Sequence, residues 1–312
     1  MTALPPAPAP AAAPAAEPRH RLDPPRHLTP DPRRDRPWRT ASVLLGSLIV
    51  LLVLVLLAAS VLIPWYLDRN MTTVASTQEL GSPTALSLEA DVGDVTVVRE
   101  ADAQQVTLSL VESGATTPPP AGETVLARFT DSGTAQHPAI SVRQPSGGNP
   151  VPWLDDTRDL LLVVPQDLDL DLDIQLDYGD VEAQGSFSAL DVQADTGAVD
   201  LQDLTVTGPL TVATDFGDVS VDLAAPVTSG VDITSDTGEV DLGLAPDAAG
   251  DVRIAADLGS VTVRAPGTAR RTVDAVTDLG ETRVDPLITG ADGDIVGHIA
   301  VESSSGDVIV TR

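Results

Sequence analysis

Aligned on its glycines, the C-terminal part of the chain repeats one hydrophobic pattern. Seven and five residues before the glycine stand Leu172 and Ile174, Leu190 and Val192, Leu210 and Val212, Val231 and Ile233, or Val252 and Ile254. Two and four residues after it come Val199 and Leu201, Val219 and Val221, Val240 and Leu242, or Val261 and Val263. The positions between are polar or acidic. Period-two alternation on both sides of a glycine predicts strand, turn, strand with one face buried. Helical periodicity is absent here, so the fold class expected is all-β. A different pattern fills residues 41–63, where 23 residues without a charge are mostly Leu, Val, Ile and Ala. A helix of that length spans about 34 Å, enough for the hydrocarbon core of a bilayer.

The turn is a D-x-G-D-V unit. It reads DVGDV (91–95), DYGDV (177–181), DTGAV (195–199), DFGDV (215–219), DTGEV (236–240), DLGSV (257–261) and DLGET (278–282), with degenerate copies at 291–295 and 304–308. From Gly179 the central glycines follow at intervals of 18, 20, 21, 21 and 21 residues, and two intervals of 13 lead on to Gly293 and Gly306. A period near 20 marks a repeat architecture, and a unit so short must stack on its neighbours to bury its apolar stripe. Two arrangements do this. In a β-solenoid each unit is a coil paired in parallel with those above and below; in an antiparallel meander each D-x-G-D is a hairpin loop. Constant period and identical chemistry at each register position favour the solenoid. The 13-residue intervals then mark a terminal cap. Glycine supplies positive φ, and the Asp two residues before it is expected to accept backbone N–H bonds in an Asx-turn.

Charge divides the chain further. Residues 1–40 hold seven arginines and four acids, net +3, with eleven prolines and eight alanines; the remainder has eleven arginines against 42 acids, net −31. So Pro-rich a segment cannot offset its ordering entropy, and 1–40 reads as a disordered tail of polyproline-II character, either a spacer or a PxxP-type docking site. Trp38 and Trp65-Tyr66 bracket the apolar run as interfacial aromatics do, and Arg33, Arg34, Arg36 and Arg39 precede it while only Arg69 follows closely. That bias predicts a cytoplasmic N-terminus, an uncleaved span at 41–66 contacting the lipid bilayer, a polar stalk at 67–83 and an extracytoplasmic domain at 84–312. A cleaved signal peptide would have a shorter apolar core and n-region. The net charge of −28 repels nucleic acid, and the absence of cysteine excludes a disulfide scaffold, thiol catalysis and cysteine-ligated metals.

The aspartates are the candidate chemistry. Asp177, Asp195, Asp215, Asp236, Asp257 and Asp278 share one register, with Asp180 and Asp218 three residues beyond the first of each turn. Stacked coils would hold such carboxylates about 4.8 Å apart, where repulsion must be offset by hydrogen bonds or by a cation. Oxygen-rich loops suit weak Ca²⁺ binding, but the spacing is neither that of an EF-hand nor that of a calcium nonapeptide repeat, and turn formation explains it without metal. Asp167, Asp169, Asp171 and Asp173 alternate with apolar residues, as a solvated strand face that blocks edge pairing does. Catalysis finds little support: His137 and His298 stand alone, and sugar-stacking aromatics after residue 66 number five, Phe129, Trp153, Tyr178, Phe187 and Phe216. Trp153, between prolines, is the best single candidate for an exposed contact or a core cap.

The succession LLLVVP (160–165), LDLDLDIQLDYGDV (168–181) and serial G-D-V turns to a final SSGDVIVTR resembles the bacterial adhesin-like β-helical repeat domains of the toastrack type. The resemblance covers 84–312 and implies a solenoid-like envelope domain with no catalytic residues and no cofactor to carry over. It departs from the usual pattern in preferring Asp at the turns and in an irregular 100–160 region. The expected function is non-catalytic adhesion, scaffolding or binding of an envelope protein or glycan. The alternatives are envelope sensing through the tail and, third, a glycan-acting enzyme.

Overall fold

The computed structural model describes residues 36–68, 71–145, 157–290 and 294–312. Residues 1–35 of the expected tail, Asn70, Trp153 and Gly293 lie outside them. The chain divides into two compact units, Met1–Ala58 and Ala59–Arg312.

One helix, α1 (Arg36–Asp68), carries the apolar run and extends it at both ends. Its segment Thr40–Ala58 has a mean hydropathy of 3.0 and buries nothing, so it is long and apolar enough to cross a membrane; a signal sequence would satisfy the same criterion.

The rest is mostly β. Strands β1 (Thr72–Ala75) and β2 (Thr77–Gly81) open it, so much of the segment expected as a stalk is instead paired sheet. β3 (Ala85–Ala90) and β4 (Val95–Glu100) flank the first D-x-G-D turn. β5 (Val106–Val111), β6 (Thr124–Asp131), β7 (Ala139–Arg143) and β8 (Asp159–Pro165) fill the irregular region. Regular pairs follow: β9 (Asp171–Tyr178) with β10 (Val181–Phe187), β11 (Ala189–Thr196) with β12 (Val199–Val206), and β13 (Leu210–Phe216) with β14 (Val219–Leu223). Next come β15 (Val231–Thr237) with β16 (Val240–Gly243), and β17 (Val252–Leu258) with β18 (Val261–Arg264). β19 (Arg270–Leu279) with β20 (Thr282–Val284), and β21 (Ile295–Ser305) with β22 (Val308–Thr311), complete the chain.

The first strand of each pair joins one 11-stranded sheet and the second joins another. From β7 and β8 onward neighbours within each sheet are parallel and in register: Leu172 lies beside Leu190, Leu190 beside Leu210, Leu210 beside Val231. Parallel pairing excludes hairpin loops at the D-x-G-D turns, and long parallel sheets of this kind fit a solenoid. The apolar positions that alternate in sequence form the core, with Ile174, Val192, Val212, Ile233 and Ile254 buried from one sheet and Val181, Val199, Val219, Val240 and Val261 from the other.

Chain order and spatial order part at both ends. β3 and β4 lie between β7–β8 and β9–β10, and the outermost layers there are β1, β2, β5 and β6, which pair antiparallel. At the other end β21 sits between β17 and β19, and β22 between β18 and β20. The short-interval C-terminal unit is therefore an interior layer, not the terminal cap its spacing suggested; β19 and β20 form the edge.

β9 is likewise an interior strand, between β3 and β11. Its acids Asp171 and Asp173 cannot serve as edge protection, and Asp167 and Asp169 precede the strand. The Ser87 hydroxyl donates to Asp173 at 3.0 Å across β3 and β9.

Candidate functional site

The D-x-G-D turns stack into one ridge where the two sheets meet. The turn glycines Gly179, Gly197, Gly217, Gly238, Gly259, Gly280 and Gly306 have φ between 140° and 157°. A Cβ at Gly217 would fall on the carbonyl oxygen of Gly197 and lie 2.5 Å from its carbonyl carbon, and Gly197, Gly238 and Gly259 meet the preceding turn in the same way. The glycines are thus a contact surface between coils as well as a turn device.

The acid after the glycine binds the coils together. Asp94 Oδ1 accepts the Asp180 backbone N–H at 2.9 Å, and Asp180 Oδ1 accepts that of Ala198 at 2.7 Å. Asp218 Oδ1 accepts from Glu239 at 2.8 Å, and Asp307 Oδ1 from Glu281 at 2.9 Å. A carboxylate receiving a backbone N–H makes one of the stronger neutral-to-ion bonds, which offsets the proximity of like charges. The expected Asx-turn role of the acid before the glycine is not the pattern found. Asp91 accepts from the Gln144 backbone, but Asp177, Asp195, Asp215, Asp236, Asp257 and Asp278 stand exposed along the ridge. Among the described residues no three His, Asp or Glu side chains gather so as to hold a metal ion.

The structure makes the residue between that Asp and the glycine conspicuous. Backbone register carries one row from Tyr178 through Thr196, Phe216, Thr237 and Leu258 to Ser305 and Leu279. Tyr178, Phe216, Leu258 and Leu279 are 63, 60, 56 and 72 % exposed. Large apolar side chains therefore alternate with hydroxyls along a line, flanked by an acidic row on either side.

Three residues before the glycine, small residues face the core. The Thr277 hydroxyl donates to the Gly306 carbonyl at 2.9 Å, whereas those of Thr214, Ser235 and Ser303 are buried without a partner. An unsatisfied buried hydroxyl costs about 1–3 kcal/mol. Ala194 and Ala256 occupy the same register, so Ser235→Ala is expected to stabilise the protein by about 1 kcal/mol, read as a higher urea midpoint at unchanged m; a lower midpoint would show that the hydroxyl is bonded in solution.

Burial raises the carboxyl pKa of Asp91, Asp94 and Asp191, with Asp159 and Asp180 adding to the rise at Asp94, and Asp173 and Asp171 at Asp191. Between the ordinary carboxylate value and these raised ones the folded chain binds more protons than the unfolded, so stability grows as pH falls through that window. Backbone N–H groups of Ala269 and Thr268 hold Asp247 below its usual range, which acts oppositely and only at more acidic pH. The melting temperature is expected to rise as pH falls toward the ordinary carboxylate value of 3.8, and Asp191→Asn to flatten that rise. An unchanged slope in the variant would remove Asp191 from the account.

Neither His137 nor His298 is isolated. His298 Nε2 lies 2.9 Å from an Asp274 carboxylate oxygen and its backbone N–H donates to Asp251, while His137 Nε2 lies 3.1 Å from the Thr84 hydroxyl. His298 borders a depression of about 540 Å³ with Asp232, Asp251, Arg253 and Glu302, a mixed-charge surface on the outside of the sheet that contains β17 and β21.

The chain is similar to two solved structures. One is a candidate cell-adhesion protein from Clostridium sporogenes, 11 % identical, with a TM-score of 0.29 over 77 % of this chain and 99 % of that one. The other is a candidate adhesin from Bacteroides fragilis, 12 % identical, with a TM-score of 0.40 over 77 % of this chain and 97 % of that one. No family model and no curated protein matches the chain.

Proposed function

We propose that the chain is a single-pass membrane protein whose tail lies in the cytoplasm and whose β-solenoid stands outside, where it acts by adhesion, scaffolding or partner binding without catalysis. The row of exposed apolar side chains on the turn ridge carries this reading. Tyr178, Phe216, Leu258 and Leu279 contribute nothing to the core, and the same register holds Thr at positions 196 and 237. Exposed apolar side chains set within a charged rim are one form an interaction surface takes. The helix supports anchoring, and the arginine excess before it supports the orientation.

The test is display of the full chain on a bacterium that lacks it. External protease is expected to digest residues 71–312, and cells carrying the chain are expected to attach to one another or to envelope material. Deletion of 1–32, which keeps Arg33, Arg34, Arg36 and Arg39 before the helix, should leave attachment intact. If tail deletion abolished the phenotype, envelope sensing would replace adhesion; if nothing attached, the reading would fail.

A further inference from the structure

We infer that the turn ridge docks a basic polypeptide in polyproline-II conformation, which names the partner class of the surface proposed above and rests on that reading. Spacing is the first reason. Strands in a sheet lie about 4.8 Å apart, so apolar side chains on every second layer recur at about 9.6 Å. Spatial order puts Ser305 between Leu258 and Leu279, which makes the alternation from Tyr178 to Leu279 unbroken. Polyproline II advances about 3.1 Å per residue with three residues per turn, so one of its faces repeats at about 9.3 Å. Across the three intervals from Tyr178 to Leu279 the two differ by about 1 Å. An extended strand repeats a face at about 6.7 Å and fits poorly. A helix repeats every seven residues at about 10.5 Å and drifts by nearly 3 Å over the same run.

Charge is the second reason. A three-faced helix laid with one face on the apolar row turns its other two toward the flanks. On one flank stand Asp177, Asp195, Asp215, Asp236, Asp257 and Asp278; on the other, Asp180, Asp218, Glu239, Asp307 and Glu281. Arginine or lysine on both outer faces would meet carboxylates in most layers, with breaks at Ala198, Ser260 and Ser304. The same rows repel a second copy of this chain, nucleic acid and anionic lipid. Proline-rich segments lose little entropy on docking, and exposed aromatic and aliphatic side chains are what such segments pack against.

The experiment uses the full chain in nanodiscs of zwitterionic lipid and a labelled peptide of four Pro-Arg-Arg repeats. Binding is expected, weakening as salt rises. Peptides of four Gly-Arg-Arg or four Pro-Glu-Glu repeats are expected to bind at least about tenfold more weakly, a difference of about 1.4 kcal/mol. The double variant Phe216→Thr, Leu258→Thr is expected to lose binding about tenfold or more with its melting temperature unchanged, since Thr196 and Thr237 already fit that register. Equal binding of the glycine peptide would overturn the proposal, leaving mere charge attraction. So would a double variant that binds as the parent does. Absence of peptide binding in a chain that still mediates attachment would overturn the polyproline-II partner alone, whereas absence of both would remove the adhesion reading as well. Concentration-dependent self-association that the double variant abolishes would assign the ridge to a second copy and likewise overturn the proposal.

Discussion

Gly217→Ala is expected to destabilise the β unit by about 4 kcal/mol or more, at the extreme of single substitutions. Two costs combine. At φ 153° a residue with a side chain is strained, by about 1–3 kcal/mol. The new methyl would also occupy the position of the Gly197 carbonyl oxygen. Moving the coils apart to relieve that overlap would weaken the bond from Gly197 N–H to the Phe216 carbonyl, 2.9 Å, and that from Val199 N–H to the Asp218 carbonyl, 2.9 Å. Gly81→Ala separates the two costs. Gly81 has φ 73° but open space where a Cβ would lie, so only the strain of about 1 kcal/mol applies. Urea unfolding of both variants measures the difference. Equal losses would mean that the stacked carbonyls tolerate a side chain and that the ridge is looser than its geometry.

Deletion of residues 294–312 is expected to dismantle the C-terminal layers, not trim a dispensable end. The strands removed, β21 and β22, are inserted between β17–β18 and β19–β20, and Ile299, Val301, Val308 and Val310 are fully buried. At about 1.5–3 kcal/mol each, those four side chains represent roughly 6–12 kcal/mol of burial, against a typical domain stability of about 5–15 kcal/mol. The deletion also strips β19 and β20 of their partners, including the bonds from Gly306 N–H to the Leu279 carbonyl and from Val308 N–H to the Glu281 carbonyl. Limited proteolysis with circular dichroism checks this: the truncated chain should be cut readily within 250–290 and melt without a sharp transition. A truncated chain with the parental midpoint would show that the last unit is peripheral.

Much of the fold is legible in one-dimensional pattern because a parallel stack places equivalent residues over one another. Leu172, Leu190, Leu210 and Val231 are neighbours in space for the reason that made them align in sequence. The turn chemistry was legible only by half. Glycine was evident, but which of the two flanking acids accepts the backbone N–H depends on where the next coil lies. Asp180 reaches Ala198 of the following coil, 18 residues on, and no local Asx rule anticipates a bond between coils. His298 and Asp274 are similarly joined only because β19 and β21 pair.

The sequence by itself determined the period, the buried face of each strand, the need for glycine at the turns, and a helix apolar enough for a membrane. All of these follow from local alternation, steric freedom and length. Only the tertiary structure decided the order of the layers, because parallel strands of equal register can be stacked in any sequence their connections allow. That choice made the C-terminal unit an interior layer and β9 an interior strand. It also set Ser305 between Leu258 and Leu279, completing an exposed alternation of apolar and hydroxyl side chains that the linear order of the repeats does not contain.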